Sequence, residues 1–565
     1  MKRLLSWLPV LIAAAVTLTG CAGSASNAST QGTTQSAPAA AKVLTIGTLG
    51  EPVTFEGFNG VGGSRGGGGI TTDLIHSHLT AIDPFDQAVP QLATEIPSIE
   101  NGTWKVNADG SMDMTWKLHS GVVWHDGAPF TSDDLMFGLA LHKDPEMAHA
   151  YAATARLMES AITPDPVTFV VHWSKVDTTA LQVKALTPFP RHLMEDAYQA
   201  DKQAFVNSSR FTTEFVGLGP YRLVKWERGS FLQVDRFDAY YQGHAPLDRI
   251  MVKFIGDPNA VMANILAGAI QVALPTNFDA DQALDLKRHW EGTGNVVRVE
   301  PIPRITYHEL MLRPEYAKPA NGLPVLAVRQ ALYQAIDRQG ITDVITGGLG
   351  PIADSWISPA DPMRKDLEAS ISKFPYDPTK ALQTLAQAGW TKGPDGILTH
   401  TAGEKMEIEI WTNPQTSDKA GTITVDNWKA IGVVGSFKVL SAAQGEDREY
   451  QSGHPGLLLT GSFIDQLLDR YDSRDMPSAA NRWSGRDRAG YANQRFDQLL
   501  DLGKGTVDPK DRLAIMKEQL QIATSEVAMF PLFWEPRAAL ILKGVKQNIH
   551  PYNSGWNTFQ WDLEA

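Results

Sequence analysis

The chain has 565 residues, 43% of them hydrophobic, and a formal net charge of −13 at pH 7. This acidic surplus repels nucleic acid and anionic lipid headgroups, which excludes both as binding partners. The length exceeds the roughly 250–300 residues that one hydrophobic core supports, so it predicts two or three lobes. A single cysteine excludes disulfides within the chain.

The first twenty residues have the layout of a secretory signal. Lys2 and Arg3 precede an apolar stretch over residues 4–18, which is shorter than the about 20 apolar residues of a membrane-spanning helix. The tetrapeptide LTGC ends at Cys21 and resembles a bacterial lipobox, in which the signal is cut before the cysteine and the thiol takes a diacylglycerol. The resemblance implies a signal peptide over residues 1–20 and a lipid anchor at Cys21. A secreted protein without the lipid is the alternative.

Residues 21–41 are rich in Ser, Thr, Ala and Gln and lack large apolar side chains. Such a segment cannot bury a core, so it predicts a flexible linker before a folded body that begins near Lys42. The two segments together predict an extracytoplasmic protein that is lipid-anchored to the bacterial membrane, on the periplasmic side or on the outer face of the cell.

Strand-like and helix-like segments alternate along the body, which predicts a mixed α/β fold. Apolar and polar residues alternate over residues 112–118, after a turn at 107–110, and predict a hairpin. Thr131 and the acidic residues after it predict an N-capped helix. Apolar residues on one face predict two later helices, at 328–336 and 513–523.

Several polar residues near these elements have structural interpretations. His125, Asp126 and Gly127 predict a turn before the capped helix, in which the glycine supplies a positive φ angle. Arg329 and Asp337 belong to a predicted helix, and we expect them to form salt bridges at the surface or between lobes.

Eight short motifs follow one another along the body. They are WKLHSGVVWHDGAPFTSDD at 116–134, GLGPYRLV at 217–224, YYQG at 240–243, LDRI at 247–250, ILAG at 265–268, VRQAL at 328–332, AIDR at 335–338 and GYAN at 490–493. Their order resembles that of the bacterial extracellular solute-binding proteins of family 5, the dipeptide and oligopeptide class that serves ABC importers. The lipobox predicts the same compartment.

The resemblance implies an α/β fold of the periplasmic-binding-protein type, with two main lobes around a ligand cleft and one extra lobe. We expect a discontinuous lobe I over residues 42–84, 210–300 and 536–565, an extra lobe II over 85–209, and lobe III over 301–535. Strands that cross between the lobes would bend, because ligand contacts to both sides favour a closed state.

The resemblance also implies a function without bond chemistry. The protein is expected to be a monomer without a cofactor that captures a peptide or another amphipathic small molecule and passes it to permease subunits driven by cytoplasmic ATPases. One alternative is a non-peptide ligand, such as an oligosaccharide or an opine-like conjugate. Another is an exported enzyme or a sensor on the same scaffold.

Signatures of an enzyme are weak, so no catalytic or metal-binding residues are predicted. Residues 62–66 match the pattern G-x-S-x-G, but they lack the apolar strand before it and the helix after it that a nucleophile elbow needs. The pair His308 and Glu309 lacks the second histidine of the zinc motif H-E-x-x-H.

A glycine-rich run over residues 60–69 is a candidate ligand-contact loop. Glycines such as Gly66 and Gly67 let backbone N–H groups approach a ligand closely, and Arg65 offers a charge to an anionic ligand. A flexible surface loop is the alternative.

The segment LLLTGSFID at 457–465 resembles the stretch in which peptide-binding relatives place an aspartate against the ammonium group of the peptide. A desolvated cation needs such a counter-charge. Ser462 stands at that position, so either Asp465 replaces the aspartate or the ligand is not anchored as a peptide. Phe463 is a further candidate contact.

The segment IWTNP before Lys419 resembles the region in which relatives bind a carboxylate, which makes Asn413 and Lys419 candidate contacts. A solvated surface lysine is the alternative. Trp356, Trp411 and Trp483 lie in segments that the family geometry brings toward the cleft, where aromatic faces stack on sugar rings or peptide side chains. Core packing is the alternative for each tryptophan.

Overall fold

The computed structural model describes residues 41–56, 69–147, 151–182, 184–276, 280–359, 361–412, 418–464, 467–546 and 549–564. Its strands are β1 Val43–Thr48, β2 Thr80–Ile82, β3 Ala88–Pro90, β4 Trp104–Val106, β5 Met112–Lys117, β6 Met158–Asp165, β7 Thr168–Trp173, β8 Tyr221–Glu227, β9 Phe231–Arg236, β10 Arg249–Phe254, β11 Val272–Thr276, β12 Val296–Leu310, β13 Trp390–Lys392, β14 Leu398–His400, β15 Glu407–Thr412, β16 Val434–Val439, β17 Leu457–Phe463, β18 Met529–Ile541, β19 Val545–Lys546 and β20 Asp562–Leu563.

Its α-helices are α1 Gly69–Ile75, α2 Ser132–Lys143, α3 Ala152–Leu157, α4 Arg191–Ala200, α5 Lys202–Val206, α6 Pro258–Leu266, α7 Ala280–His289, α8 Leu326–Gln334, α9 Arg338–Thr346, α10 Arg364–Leu367, α11 Pro378–Gln387, α12 Lys419–Ile431, α13 Ala442–Glu446, α14 Arg448–Ser452, α15 Gln494–Gly505 and α16 Pro509–Ser525. Among the described residues, no helix combines the length and the apolar character needed to cross a bilayer.

Ten strands form one large sheet in the order β16-β15-β17-β12-β18-β11-β1-β10-β9-β8. Parallel pairs join β1 to β10 and β11, and join β15 to β16 and β17. The long strands β12 and β18 pair antiparallel in the middle of the sheet. The predicted boundaries between lobes I and III, 300/301 and 535/536, fall inside these two strands. The three lobes themselves stay a prediction.

Prolines interrupt the pairing of the two long strands. Pro301 of β12 lies opposite Pro536 of β18, and the register shifts between Pro301 and Ile305. Proline has no backbone N–H, so both strands lack a ladder donor at the same level of the sheet. The two strands can therefore form fewer ladder hydrogen bonds at this level.

A second sheet has the order β4-β5-β7-β6 and a core rich in tryptophan. The predicted hairpin is confirmed, because β4 and β5 pair antiparallel and Met112, Met114 and Trp116 are buried. The predicted helix cap is also confirmed. The Thr131 side chain accepts from the backbone at the start of α2, and the Asp134 carboxylate binds the backbone N–H of Thr131 in return.

Candidate functional site

Side chains from β12, β17 and β18 meet near the proline level of the large sheet. We call this group the crossing-strand cluster, and it consists of Arg304, Thr306, Gly461, Phe463, Glu535, Arg537 and Tyr552. The cluster combines cationic, anionic and aromatic groups at the place where the chain passes between the two predicted main lobes.

Arg304 joins the three strands of the cluster. Its guanidinium forms an ion pair with Glu535 and donates to the carbonyl oxygen of Gly461 at 3.2 Å. The hydroxyl of Thr306 donates to the same Glu535 carboxylate at 2.8 Å. The side chains of Arg304 and Glu535 keep 29% and 20% of their surface exposed, so the pair borders solvent instead of lying in the core.

The Arg304 guanidinium approaches Gly461 closely. A Cβ atom at this position would lie 2.7 Å from the Nη2 atom of Arg304, which is closer than side-chain carbons come in real structures. Any other residue would therefore push Arg304 away from β17.

Two aromatic rings border the charged pair. The ring centroids of Phe463 and Tyr552 are 6.1 Å apart and their planes differ by 24°, which is a stacked arrangement. The Tyr552 hydroxyl donates to Asp86 at 3.0 Å. The guanidinium carbon of Arg304 lies 5.9 Å from the centroid of Phe463. The C-terminal segment thereby closes one side of the cluster.

Arg537 contributes a second guanidinium. Its side chain is half-buried, and it forms no hydrogen bond or ion pair with the described residues. Burial lowers the pKa of this guanidinium from its usual value, nearby Glu535 opposes that effect, and Arg304 adds to it. The charge of Arg537 is therefore only partly compensated.

Among the described residues, the backbone of β17 has a free edge beside the cluster. Its pairing with β15 ends at Leu459, opposite Thr412, whereas its pairing with β12 continues to Phe463. Within the described parts of the chain, residues 460–463 thus have a strand partner on one side only. Their outward N–H and C=O groups can accept a further strand.

Comparison with known proteins identifies this architecture. Residues 87–487 match the family described as "Bacterial extracellular solute-binding proteins, family 5 Middle". The chain belongs to this family. The match confirms the resemblance drawn from the motifs. The match also confirms the predicted function, which is that of a non-enzymatic substrate-binding protein of ABC transporters outside the cytoplasm.

Two curated relatives match most or all of this family 5 protein. The oligopeptide-binding protein AppA of Bacillus subtilis is 24% identical over 580 residues, which cover 100% of this chain and 99% of AppA. The heme-binding protein A of Haemophilus influenzae is 24% identical over 472 residues, 78% of this chain and 79% of that protein.

Solved structures share the fold. The structure of B. subtilis AppA in complex with a nonapeptide gives a TM-score of 0.66 at 21% identity and covers 93% of this chain and 100% of AppA. The substrate-binding protein CtaP of Listeria monocytogenes gives a TM-score of 0.73 at 18% identity, with 93% and 100% covered. The predicted α/β fold of the periplasmic-binding-protein type is confirmed.

Ser462 of this family 5 protein points away from the crossing-strand cluster. Its side chain is buried, with 4% of the residue exposed, and its hydroxyl lies 3.2 Å from the hydroxyl of Tyr307. Tyr307 is itself buried in the core beneath the sheet. A ligand on the cluster side of β17 would meet the backbone of residue 462 and not its hydroxyl, whereas Phe463 faces the cluster.

The three predicted tryptophans lie in different surroundings. Trp356 is buried against Tyr471, with ring centroids 5.6 Å apart. Trp411 is buried and stacks on Tyr450 at 4.8 Å, with the ammonium group of Lys438 at 4.4 Å from its ring. Trp483 is half-buried and has a left-handed backbone, with φ of +59°. The roles of the three tryptophans in ligand binding stay predictions.

The remaining predicted contacts are only partly described. Lys419 is exposed at the first turn of α12. The other predicted residues lie outside the described residues and are Cys21, Arg65, Gly66, Gly67, Asn413 and Asp465. No group of three or more metal-ligating side chains occurs in the described ranges.

The charged members of the cluster, Arg304, Glu535 and Arg537, were not among the predicted contacts. A signal for them exists, since Glu535 and Arg537 interrupt the apolar run MFPLFWEPRAALI and Arg304 interrupts a similar run in β12. Charged side chains inside apolar strands are rarely buried without a partner or a function. The prolines in both runs argue against strands when the sequence is considered alone.

Proposed function

We propose that this protein captures a peptide outside the cytoplasmic membrane by closing two lobes around it, and then delivers the peptide to the permease of an ABC importer. The free edge of β17 at residues 460–463 carries this proposal. An extended peptide can add to such an edge as a further strand, so that main-chain hydrogen bonds supply affinity independent of the peptide sequence.

Properties of the relatives support the same solute class. Solved structures of similar proteins include AppA with a nonapeptide and an oligopeptide-binding protein from Thermus thermophilus with a pentapeptide. A peptide in such a site would lie beside the aromatic rings of Phe463 and Tyr552 and next to the charged pair of Arg304 and Glu535.

The proposed closing motion uses the strand pair β12 and β18. The facing prolines Pro301 and Pro536 remove two ladder donors at one level, and the register shifts beside them. A pair of strands weakened in this way can bend without loss of many hydrogen bonds. Ligand contacts to both lobes would then favour the closed form, since a ligand shifts the equilibrium by its differential affinity.

We further propose that the protein is held at the membrane by lipid on Cys21. The lipobox-like LTGC and the polar linker after it support this proposal. Multiple acyl chains, at about 0.8 kcal/mol per buried CH₂, hold a protein stably where a single chain is marginal.

Identification of the solute that co-purifies with the protein tests the solute class. We expect mass spectrometry to find peptides. Bound peptide should also reduce the radius of gyration in X-ray scattering. Two peptide series can be methylated at either the odd or the even amide nitrogens. Only one series should lose affinity, because alternate N–H groups of an added strand face the sheet. A co-purified saccharide, opine-like conjugate or heme, with no retained peptide, would instead support a non-peptide binder.

A further inference from the structure

Near the facing prolines, the charged side chains of the two crossing strands form two paired groups and leave one cation, Arg537, outside them. Arg304 pairs with Glu535. Glu300 is bound by His550 and has Arg298 at 3.7 Å. The remaining cation is Arg537, which stands opposite Glu300 in the strand register. The carboxylates of nearby Glu535 and of Glu300 are therefore each already paired with another side chain.

We propose that Arg537 binds a carboxylate of the captured solute. A half-buried guanidinium offers five N–H donors in a planar fork, and a carboxylate can accept two of them at once. This role of Arg537 rests on the proposed capture of a peptide or a related solute. That solute would carry a negative charge at the crossing-strand cluster.

Two observations place Arg537 on the ligand side of the sheet. Glu535, two residues earlier on the same strand, faces Arg304 and Thr306, and residues two apart share a face of a strand. The groups that act on the charge of Arg537 are Glu535, Arg304 and Tyr552, all members of the crossing-strand cluster. The guanidinium thus belongs to the cluster beside the free edge of β17.

A structural role for Arg537 would require a partner within the protein. The described residues provide no hydrogen bond or ion pair to it, and its burial, which Glu535 and Tyr552 offset only in part, disfavours its charge. Such a partly desolvated charge lowers the stability of the unliganded protein, and a ligand carboxylate would supply the missing negative charge. Removal of the charge should therefore have opposite effects on stability and on affinity.

The test compares Arg537→Gln with Arg537→Lys and with the control Arg222→Gln, an exposed arginine on β8 of the same sheet. The probes are mixtures of tri- to pentapeptides with free or amidated C-termini, each made with and without Asp and Glu. Propane-1,2,3-tricarboxylate and its neutral triamide serve as non-peptide probes. Binding is measured by calorimetry, and melting temperatures are measured without any probe.

We expect the natural protein and Arg222→Gln to bind carboxylate probes at least about ten-fold more tightly than their amides, as for a charge-assisted hydrogen bond. Arg537→Gln should lose this preference while its melting temperature stays the same or rises, and Arg537→Lys should restore part of the preference. The two peptide series tell whether the carboxylate is the C-terminus or an acidic side chain.

The other outcomes separate the two proposals. Equal affinity for acids and amides in the natural protein, or no binding of any carboxylate probe, would overturn the role of Arg537. A lowered melting temperature with an unchanged preference would give it a structural role instead. Binding of the tricarboxylate that depends on Arg537, without binding of any peptide, would support the carboxylate site and contradict the peptide function.

Discussion

Glu309 and Arg488 form a two-point ion pair beneath the sheet, 179 residues apart in the chain. The Nε atom of Arg488 lies 2.9 Å from one carboxylate oxygen of Glu309 and its Nη2 atom lies 3.1 Å from the other. Arg470 donates to the same carboxylate at 3.2 Å. Burial raises the pKa of Glu309, but the two guanidiniums outweigh burial and hold that pKa below its usual value.

Glu309→Gln should therefore be strongly destabilising. The carboxylate is only 5% exposed, and its loss leaves two guanidiniums without a counter-charge, which costs about 3 kcal/mol or more for a buried pair. Melting temperature and urea denaturation measure the effect. The control is Glu518→Gln, which breaks an exposed pair with Arg495 and should change stability by less than about 1 kcal/mol. A similarly small loss in the free energy of unfolding in both variants would contradict this role of Glu309.

A second buried carboxyl predicts a pH dependence. Burial raises the pKa of Asp487 to about 8, so the native protein keeps a proton there that the unfolded chain releases near pH 4. Between about pH 4 and pH 8 the native state binds one more proton than the unfolded chain. The contribution of Asp487 to the free energy of unfolding is therefore largest at low pH and falls as pH rises toward 8. Asp487→Asn keeps an acceptor for the N–H groups of Gly490 and Tyr491.

The variant should thus gain stability relative to the natural protein as pH rises from about 5 to about 8, by more than about 1 kcal/mol. Thermal unfolding of both proteins across this range measures the difference. Asp366→Asn, a substitution at an exposed position of α10, serves as the comparison. A difference that stays constant with pH would show that Asp487 is ionised in the native protein.

Local chemistry in the sequence predicts caps and turns well. Thr131 caps α2 as predicted, and Gly127 has the predicted positive φ, of +89°. Within the described ranges, neither Arg329 nor Asp337 forms the predicted salt bridge. Arg329 donates to the carbonyl oxygens of Glu526 and Pro324, and Asp337 caps α9 by accepting from the N–H of Gly340.

The errors have a physical reason. The carbonyl groups at the end of α16 lack hydrogen-bond donors within their helix. The guanidinium of Arg329 on α8 donates to one of them because the fold brings the two helices together. The crossing-strand cluster is hidden in the same way. Arg304 and Glu535 are 231 residues apart, and no local period in the sequence relates them.

The close approach at Gly461 gives a prediction for the cluster. Gly461→Ala would place a Cβ 2.7 Å from Arg304, so the guanidinium must leave its place between Gly461 and Glu535. We expect a loss of about 1–2 kcal/mol in stability and weaker binding of the co-purified solute. The control is Gly256→Ala, where a Cβ has no neighbour within 4 Å. Equal stability and affinity in both variants would show that Arg304 is free to move.

The proposed lipid anchor is tested by Cys21→Ser. A serine cannot take the diacylglycerol, so the protein should move from the membrane fraction to the soluble fraction after a salt wash, since the linker itself has no large apolar side chains. Metabolic labelling with a tagged fatty acid should mark the natural protein and leave the variant unlabelled. Labelled variant protein, or variant protein that stays with washed membranes, would contradict the anchor.

The last prediction concerns the effect of Ser462→Asp on stability and on peptide affinity. The resemblance to peptide-binding relatives places Ser462 at the position of their anchor aspartate, which predicts that Ser462→Asp would improve peptide binding. The Ser462 hydroxyl instead faces the buried Tyr307, at 3.2 Å. We expect the carboxylate to be desolvated there, to lower stability by about 2 kcal/mol or more, and to leave peptide affinity unimproved. Calorimetry with free-acid peptides and thermal unfolding measure both effects, with Ser462→Ala as the control for loss of the hydroxyl. Tighter peptide binding at an unchanged melting temperature would show instead that residue 462 reaches the ligand and that the missing aspartate governs solute choice.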